Sequence, residues 1–249
     1  YKSANGGKTW ADKTGVLSDL IREIVIHPAD PRTFYVATDF NIWRTADAGA
    51  SWKKNNGYAK GYSLALDPLH PEVLYSGYEA AVYRSLNGGV DWESSSTGVY
   101  GTVYDFAFPT DKVLCATSAA VFACAASGSG AAGGPAAWPT WTPSATGLKA
   151  APVKAIASAP SAPNVLFAAA FTYGLFKSVN AGSTWERLAE PYGGVYISRL
   201  AIHPSSPGVV YGLAGFWGPD ILYKTADGGA TWDEVLSDYL NQWQDQTGI

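Results

Sequence analysis

The chain has 249 residues, with 17 Lys and Arg against 21 Asp and Glu, so its formal net charge at pH 7 is −4. This balance argues against duplex nucleic acid or an anionic membrane as the main partner. Aromatic residues make up 14% of the chain, which favours β-sheet, and no apolar window predicts a transmembrane segment. Because the sequence starts at Tyr1 inside a repeat and contains no Met, we expect a processed or truncated piece of a larger polypeptide.

One short motif occurs five times along the chain, with the consensus Ser/Thr-x-Asp/Asn-x-Gly-x-Thr/Ser-Trp; Asp91 is the one departure at its seventh place. We call it the hairpin motif, and its copies are residues 3–10, 45–52, 85–92, 178–185 and 225–232. Glycine accepts positive φ, and a short Asp or Asn side chain can bond back to the turn backbone. We therefore predict structural turn roles for the motif residues Asn5, Trp10, Asp47, Trp52, Asn87, Trp92, Asn180, Trp185, Asp227 and Trp232.

The motif tryptophans recur at intervals of about 40–50 residues, which is typical of propeller blades. One interval is twice as long, and Trp141 lies where the intervening unit should end. The predicted fold is all-β, a β-propeller of four-stranded antiparallel blades, with about six blades, one of them incomplete, and five to seven possible. The units of this single domain, or part of one, are 1–16 (a half blade), 17–57, 58–100, 101–148 (degenerate), 149–194 and 195–249.

Each unit opens with an apolar first strand that stops at proline, as in Ile24-Val25-Ile26-His27-Pro28. Proline lacks the amide that a ladder needs, so it ends the strand. The near-continuous apolar character of the first three strands predicts that both faces of each sheet are covered. His27 and His203 stand at equivalent strand ends, which predicts hydrogen bonding in the turns.

The unit 101–148 has lost its motif and carries a Gly/Ala/Ser run at 125–135 instead. This run reads as a decayed hairpin tip or, alternatively, as a docking or processing loop. Cys115 and Cys124 fall on its second and third strands, symmetric about Ala119 and Ala120, so they could face each other across the ladder. A cross-strand disulfide and two inert buried thiols are both open at this point. No metal site or cofactor is expected.

With these motifs and the phrase Leu222-Tyr223-Lys224-Thr225 before the last copy, the chain resembles the BNR/Asp-box repeat propellers throughout its length. Such proteins include microbial sialidases, xyloglucan-cutting glycosidases, sortilin-type receptor domains and photosystem II assembly factors. The resemblance implies that the motif lies on the outer rim, away from a central site, so it does not imply sialidase chemistry. Arg44 and Arg84 stand where other units have lysine, which favours a structural role over binding of a carboxylate substrate.

The glycosidase resemblance points to carboxylates in the loops at one face, since inverting enzymes need two about 6.5–9.5 Å apart. The stretch Tyr35–Asp39 resembles the one that holds a catalytic Asp in the xyloglucan enzymes. If the chain is a glycosidase, the candidate catalytic residues are Asp39, Glu79 and Asp105, with Glu23 and Asp220 nearby in the pattern. The plainer interpretation of each carboxylate is a solvated loop charge.

Aromatic residues occupy the same predicted loop face, with Tyr62 and Tyr104 just ahead of first strands. Together they could stack sugars or hold a peptide, or they could plug the mouth of the channel. The candidate binding residues are Phe40, Tyr78, Tyr173, Phe216, Trp217 and Asp220.

These patterns predict a non-catalytic binding or assembly scaffold that presents its loop face to a protein or glycan partner. The alternative is a glycan-active module. We expect no nucleic-acid partner and a location outside the cytoplasm: extracellular, periplasmic or on the cell surface.

Overall fold

The computed structural model describes residues 1–55, 61–126, 140–148, 152–189, 196–215 and 221–237. Its strands form five four-stranded antiparallel sheets, each with its strands paired in chain order. This is an all-β fold of the β-propeller type with five complete blades, which confirms the predicted fold class. Within the described ranges, no helix has the length and apolar character needed to cross a membrane.

The first two blades contain eight strands: β1 (Ile21–Ile26), β2 (Phe34–Thr38), β3 (Ile42–Thr45), β4 (Lys53–Lys54), β5 (Ser63–Leu66), β6 (Leu74–Tyr78), β7 (Ala81–Ser85) and β8 (Glu93–Ser94). The last three contain twelve: β9 (Val103–Ala107), β10 (Lys112–Thr117), β11 (Val121–Ala125), β12 (Thr142–Pro143), β13 (Val153–Ala159), β14 (Ala162–Ala170), β15 (Gly174–Ser178), β16 (Glu186–Arg187), β17 (Ile197–Ile202), β18 (Val210–Ala214), β19 (Ile221–Thr225) and β20 (Asp233–Ser237). The first strands end where the sequence predicted, at or just before the Pro-containing turns.

The chain divides into two compact units, Tyr1–Ser96 with two blades and Thr97–Ile249 with three. In the first unit, β1 contacts β5, the first strand of the next blade. A core cluster that includes Tyr35, Leu64, Leu74 and Trp92 fills the space between the two sheets. A Cβ atom added at Gly89 would lie 2.9 Å from the Tyr35 ring, so the second blade's hairpin motif packs directly on β2.

The second unit repeats this packing. Its middle first strand, β13, contacts both β9 and β17. A Cβ atom at Gly182 would lie 2.8 Å from Leu114 of β10, so the fourth blade's motif also packs on the second strand of the blade before it. Trp185 of the same motif is 5% exposed and joins Leu114 in the core cluster.

The hairpin motif holds its own turn through side chain-to-backbone hydrogen bonds. In the copy at 45–52, Thr45 Oγ1 accepts from the Gly49 amide at 2.9 Å, and Asp47 Oδ1 accepts from the Ser51 amide at 2.8 Å. The other four copies make the same two bonds. Because each copy satisfies its own turn amides, five separated segments adopt one conformation.

The N-terminal copy lies outside the five four-stranded sheets. Lys2 and Ala11 exchange backbone hydrogen bonds of 2.8 and 2.9 Å, which form the bridge of a short hairpin around the motif. Its tryptophan, Trp10, is 62% exposed, whereas Trp92 and Trp185 are 9% and 5% exposed. The N-terminal copy therefore forms the same turn as the others, but its tryptophan is not packed in a hydrophobic core.

Strand β1 differs from the prediction that the first three strands are covered on both faces. Ile24 and Ile26 are 51% and 59% exposed, whereas the adjoining strand β2 is almost wholly buried. Among the described residues of this unit, β1 packs against β2 and β5. Its apolar character therefore exceeds the burial it receives in this chain.

The two cysteines also depart from the predicted register. Cys115 lies opposite Phe122, and Cys124 lies opposite Val113, so the predicted direct opposition was wrong. They are diagonal neighbours, and such pairs are separated by about 7–8 Å, beyond the Cα separation of most disulfides. Both are buried and neither forms a disulfide, and burial raises the pKa of the Cys115 thiol.

The sequence placed a Gly/Ala/Ser loop at 125–135. Strand β11 extends to Ala125, and the part of this loop from 127 onward lies outside the described residues.

We expect Thr45→Val to destabilise the first unit by about 1–3 kcal/mol, because it leaves the buried Gly49 amide without an acceptor. Thr45 is 1% exposed, so water cannot substitute for the hydroxyl. Thr45→Ser is the matched control, since Ser occupies this place in three copies. Chemical denaturation of both variants tests the expectation, and equal stability of the Val and Ser variants would contradict it.

The motif carboxylates predict a pH dependence. Hydroxyl bonds from Ser51 to Asp47 and from Thr231 to Asp227, followed by the amides of the same residues, hold the pKa of both carboxyls well below the usual range. A carboxyl whose pKa is lower in the folded state adds stability above its ordinary pKa of about 3.9, and that stability is lost as the pH falls below it.

The double variant Asp47→Asn/Asp227→Asn should therefore lose less stability than the wild type between about pH 5 and pH 2. Asn stands at this position in the other three copies, so the turn should be kept. The midpoint of urea unfolding, measured for both proteins across this pH range, tests the expectation. Parallel pH profiles for the two proteins would refute the assignment.

Candidate functional site

The candidate residues occupy equivalent positions in their blades, at the end where the first strand begins and the second strand ends; we call this the loop end of a blade. Asp39 and Phe40 follow β2, Tyr78 ends β6, Glu79 lies in the next turn and Tyr173 follows β14. Phe216, Trp217 and Asp220 lie outside the described residues. Of the eight residues predicted at these turns, the structure therefore describes five.

A β-bulge recurs at the loop end of four blades. The ladder between first and second strands skips one residue near the start of the first strand, and the skipped residues are Arg22, Tyr104, Lys154 and Ser198. Bulges release a residue from ladder pairing and re-aim its side chain. This bulge was not predicted from the sequence. Its signal in the sequence is a polar or bulky residue directly after the apolar residue that begins each first strand.

In the first unit, the bulged Arg22 organises the loop end. Its Nε donates to Asp39 Oδ1 at 2.5 Å, and its guanidinium lies 5.5 Å from the ring centroid of Tyr62. The rings of Tyr62 and Tyr78 are 4.6 Å apart, and the hydrogen bond with Tyr78 is the main cause that raises the pKa of Tyr62. Asp39 and Tyr78, predicted separately, thus belong to one cluster. Phe40, the residue after Asp39, is 68% exposed.

In the second unit, a cation again lies on an aromatic ring. Lys154 Nζ is 3.6 Å from the ring centroid of Tyr104, so bulged residues of two neighbouring blades meet. Phe171 and Tyr196 pack edge to face at 4.7 Å, and burial is the main cause that raises the pKa of Tyr196. Tyr173, in the adjoining turn, is 38% exposed.

Asp105 is occupied by backbone donors. Its Oδ2 accepts from the Ile156 amide of the next blade at 2.9 Å, and its Oδ1 accepts from the Phe106 amide at 2.8 Å. This carboxylate therefore ties β9 to β13, a structural use that the sequence could not distinguish from a catalytic one. Glu79 is exposed, with a φ of 46° in its turn, and Glu23 is half-buried on β1.

The chemistry of the loop end is that of recognition. Aromatic faces with neighbouring cations can stack on sugar rings or hold peptide side chains. Across the described parts of the chain, no cluster of three or more His, Cys, Asp or Glu side chains could hold a metal ion.

The comparisons with known proteins agree with the fold. No protein-family model matches the chain, and no curated protein matches it in sequence. In structure it is similar to the GH74 xyloglucanase from Xanthomonas campestris, at 18% identity and a TM-score of 0.69, covering 91% of this chain and 40% of that one. The chain spans 31% and 38% of the length of two other GH74 enzymes.

Two further structural neighbours lie outside that enzyme family. YCF48 bound to D1 peptide matches at 18% identity and a TM-score of 0.54, covering 82% of this chain and 63% of that one. The extracellular domain of a one-component system from B. thetaiotaomicron matches at 15% identity and a TM-score of 0.65, covering 89% of this chain and 28% of that one. Because identities are this low, the shared feature is the propeller scaffold.

We expect Asp105→Ala to destabilise the second unit by about 1–3 kcal/mol, because it leaves the Ile156 amide, on a residue 2% exposed, without its acceptor. Asp39→Ala is the control, since its ion pair is partly exposed and such pairs contribute little to stability. Unfolding in urea measures both. A loss no greater for Asp105→Ala than for Asp39→Ala would show that the backbone tie is unimportant.

Proposed function

We propose that this propeller is a non-catalytic binding or assembly scaffold that uses the loop end of its blades to hold a protein or glycan partner. The observation that carries the proposal is that a bulged cationic residue in each unit lies on an aromatic ring. Arg22 lies on Tyr62, and Lys154 lies on Tyr104. Arg22 is exposed, and Tyr62, Tyr104 and Lys154 are partly exposed, so these side chains are available for contacts at the surface.

Residue chemistry supports a contact surface. Tyr and Arg are enriched among residues that dominate binding energy, since they combine large apolar area with polar groups. The ion pair with Asp39 and the ring of Tyr62 hold Arg22 in one arrangement before any partner arrives. A side chain already fixed loses less conformational freedom on binding.

The structural neighbours are consistent with this role. YCF48 is a propeller of the same fold with a bound peptide, which shows that such a scaffold can hold one. The one-component-system neighbour is an extracellular domain, and a location outside the cytoplasm is part of our proposal.

The alternative function is glycan binding with hydrolysis, favoured by the fold shared with GH74 enzymes and by the loop-end carboxylates Asp39 and Glu79. Asp105, the third candidate, is used by backbone amides of two strands. Inverting glycoside hydrolysis needs a proton donor and a base on opposite sides of the scissile bond. The scaffold function requires no such pair.

Binding to xyloglucan oligosaccharides and to a synthetic peptide array tests the proposal. We expect saturable binding to members of one array, weakened about tenfold or more by Tyr104→Ala or Arg22→Ala, as expected when a dominant contact is removed. Trp10→Ala is the matched control, because Trp10 is an exposed aromatic residue in a hairpin motif. The loop-end assignment would be overturned if neither the oligosaccharides nor the peptides bind, or if Trp10→Ala weakens binding as much as the loop-end variants do.

Release of reducing ends from xyloglucan separates the two functions. The scaffold function predicts no release by the wild type. Release that is abolished by Asp39→Asn would establish the alternative.

A further inference from the structure

A basic residue recurs at one position of the third strand, directly before the first residue of the hairpin motif. It is present in four complete blades, as Arg44, Arg84, Lys177 and Lys224. The motif of the next blade packs close to this position, so the basic side chain can reach its turn carbonyls.

In the second unit this contact is made. Lys177 Nζ donates to the Gly228 carbonyl of the next motif at 3.0 Å and lies 5.4 Å from the ring centroid of Phe167. The preceding blade has Ala123 at the basic position, as its pairing with the fourth strand shows. There Lys112 of β10 reaches the corresponding carbonyl, that of Ala181, at 3.5 Å. At both junctions, therefore, a lysine binds the carbonyl of the fourth motif residue.

At the junction of the first two blades, Arg44 makes no such contact. It lies opposite Tyr35 in the ladder, as Lys177 lies opposite Phe167. Its Nε has no hydrogen-bond partner, and no ion pair joins it to another of the described residues. An open cavity of about 350 Å³ is present here, lined by Arg44, Tyr35 and His27 of the first blade and by Glu72 and Gly88 of the second.

Besides Arg44, the lining contains the His27 ring, the Tyr35 hydroxyl and the carboxylates of Asp30 and Glu72. His27 Nδ1 accepts from the Ala29 and Asp30 amides, so the proton of the neutral ring is on Nε2, which can donate. Asp30, also in the lining, spends its carboxylate on the Arg32 amide and the Thr33 hydroxyl.

Glu72 and the Tyr35 hydroxyl lie in the wall of the cavity. Glu72 lies 3.6 Å from His70 Nδ1, an oppositely charged partner when that histidine is protonated. The Tyr35 hydroxyl lies at the Gly88 wall, 3.5 Å from where a Cβ atom of that glycine would be.

From this arrangement we infer that the cavity binds an oxoanion, a carboxylate or a phosphate group, through the Arg44 guanidinium, with the Tyr35 hydroxyl and the His27 ring N–H as further donors. The planar guanidinium fork matches two oxygens of either group, and charge-assisted bonds of this kind are among the strongest hydrogen bonds in proteins. The site lies where β1 ends and β2 begins, at the opposite end of these strands from the loop end. It is therefore separate from the proposed partner site.

Calorimetric titration with sodium phosphate and with sodium acetate, at constant ionic strength, tests this site and distinguishes the two sources of oxoanion. We expect saturable binding of at least one of them at millimolar concentration. Arg44→Gln should raise the dissociation constant about tenfold or more, as expected for loss of a hydrogen-bonded charge. Lys224→Gln is the matched control, because it removes the same charge at the same strand position of the last blade.

Tyr35→Phe is a second variant in case Arg44→Gln does not fold, since it keeps the buried ring and removes only the hydroxyl. It should weaken binding several-fold relative to the wild type. The inference is overturned if neither anion binds saturably, if Lys224→Gln weakens binding as much as Arg44→Gln, or if Arg44→Gln and Tyr35→Phe both bind as the wild type does.

Discussion

The hydrogen bond from a glycine amide to the first hydroxyl of its own hairpin motif is the constraint on which the blades depend. In the copy at 85–92, Ser85 Oγ accepts from the Gly89 amide at 2.9 Å, and Gly89 has a φ of 77°. This bond holds the bare glycine backbone against the Tyr35 ring of the preceding blade, closer than a Cβ atom would allow. The turn and the contact between sheets therefore share one requirement, since a larger residue would lose both the backbone conformation and the close approach.

The sequence predicts the parts of the fold that local chemistry decides. The motif, its spacing and the prolines after the first strands were enough to predict four-stranded antiparallel blades and the ends of first strands such as β1 and β5. The relative register of β10 and β11 was not predictable from symmetry about Ala119 and Ala120. A shift of two residues keeps every side chain on its face, so the hydrophobic pattern does not oppose it.

The candidate site was predictable as a set of positions and not as a set of contacts. The sequence identified Asp39 and Tyr78, but Arg22, which joins their cluster through Asp39 and Tyr62, was not singled out as a functional residue. Asp105 was identified as a candidate catalytic carboxylate, and it accepts two backbone amides. A carboxylate in this structural use has the same sequence appearance as one that binds a substrate. Likewise, the pattern that made Arg44 look equivalent to Lys177 could not show that only Lys177 reaches a carbonyl.

The recurring bulge also bears on how such a protein can change over generations. Residues 22, 104, 154 and 198 take no place in the ladder between their strands, and they carry Arg, Tyr, Lys and Ser. Because a bulged residue is left unpaired, the ladder accommodates four chemically unlike side chains at one structural position. Surface chemistry at these positions can therefore drift, or be varied in a combinatorial library, while the blades that display it stay the same.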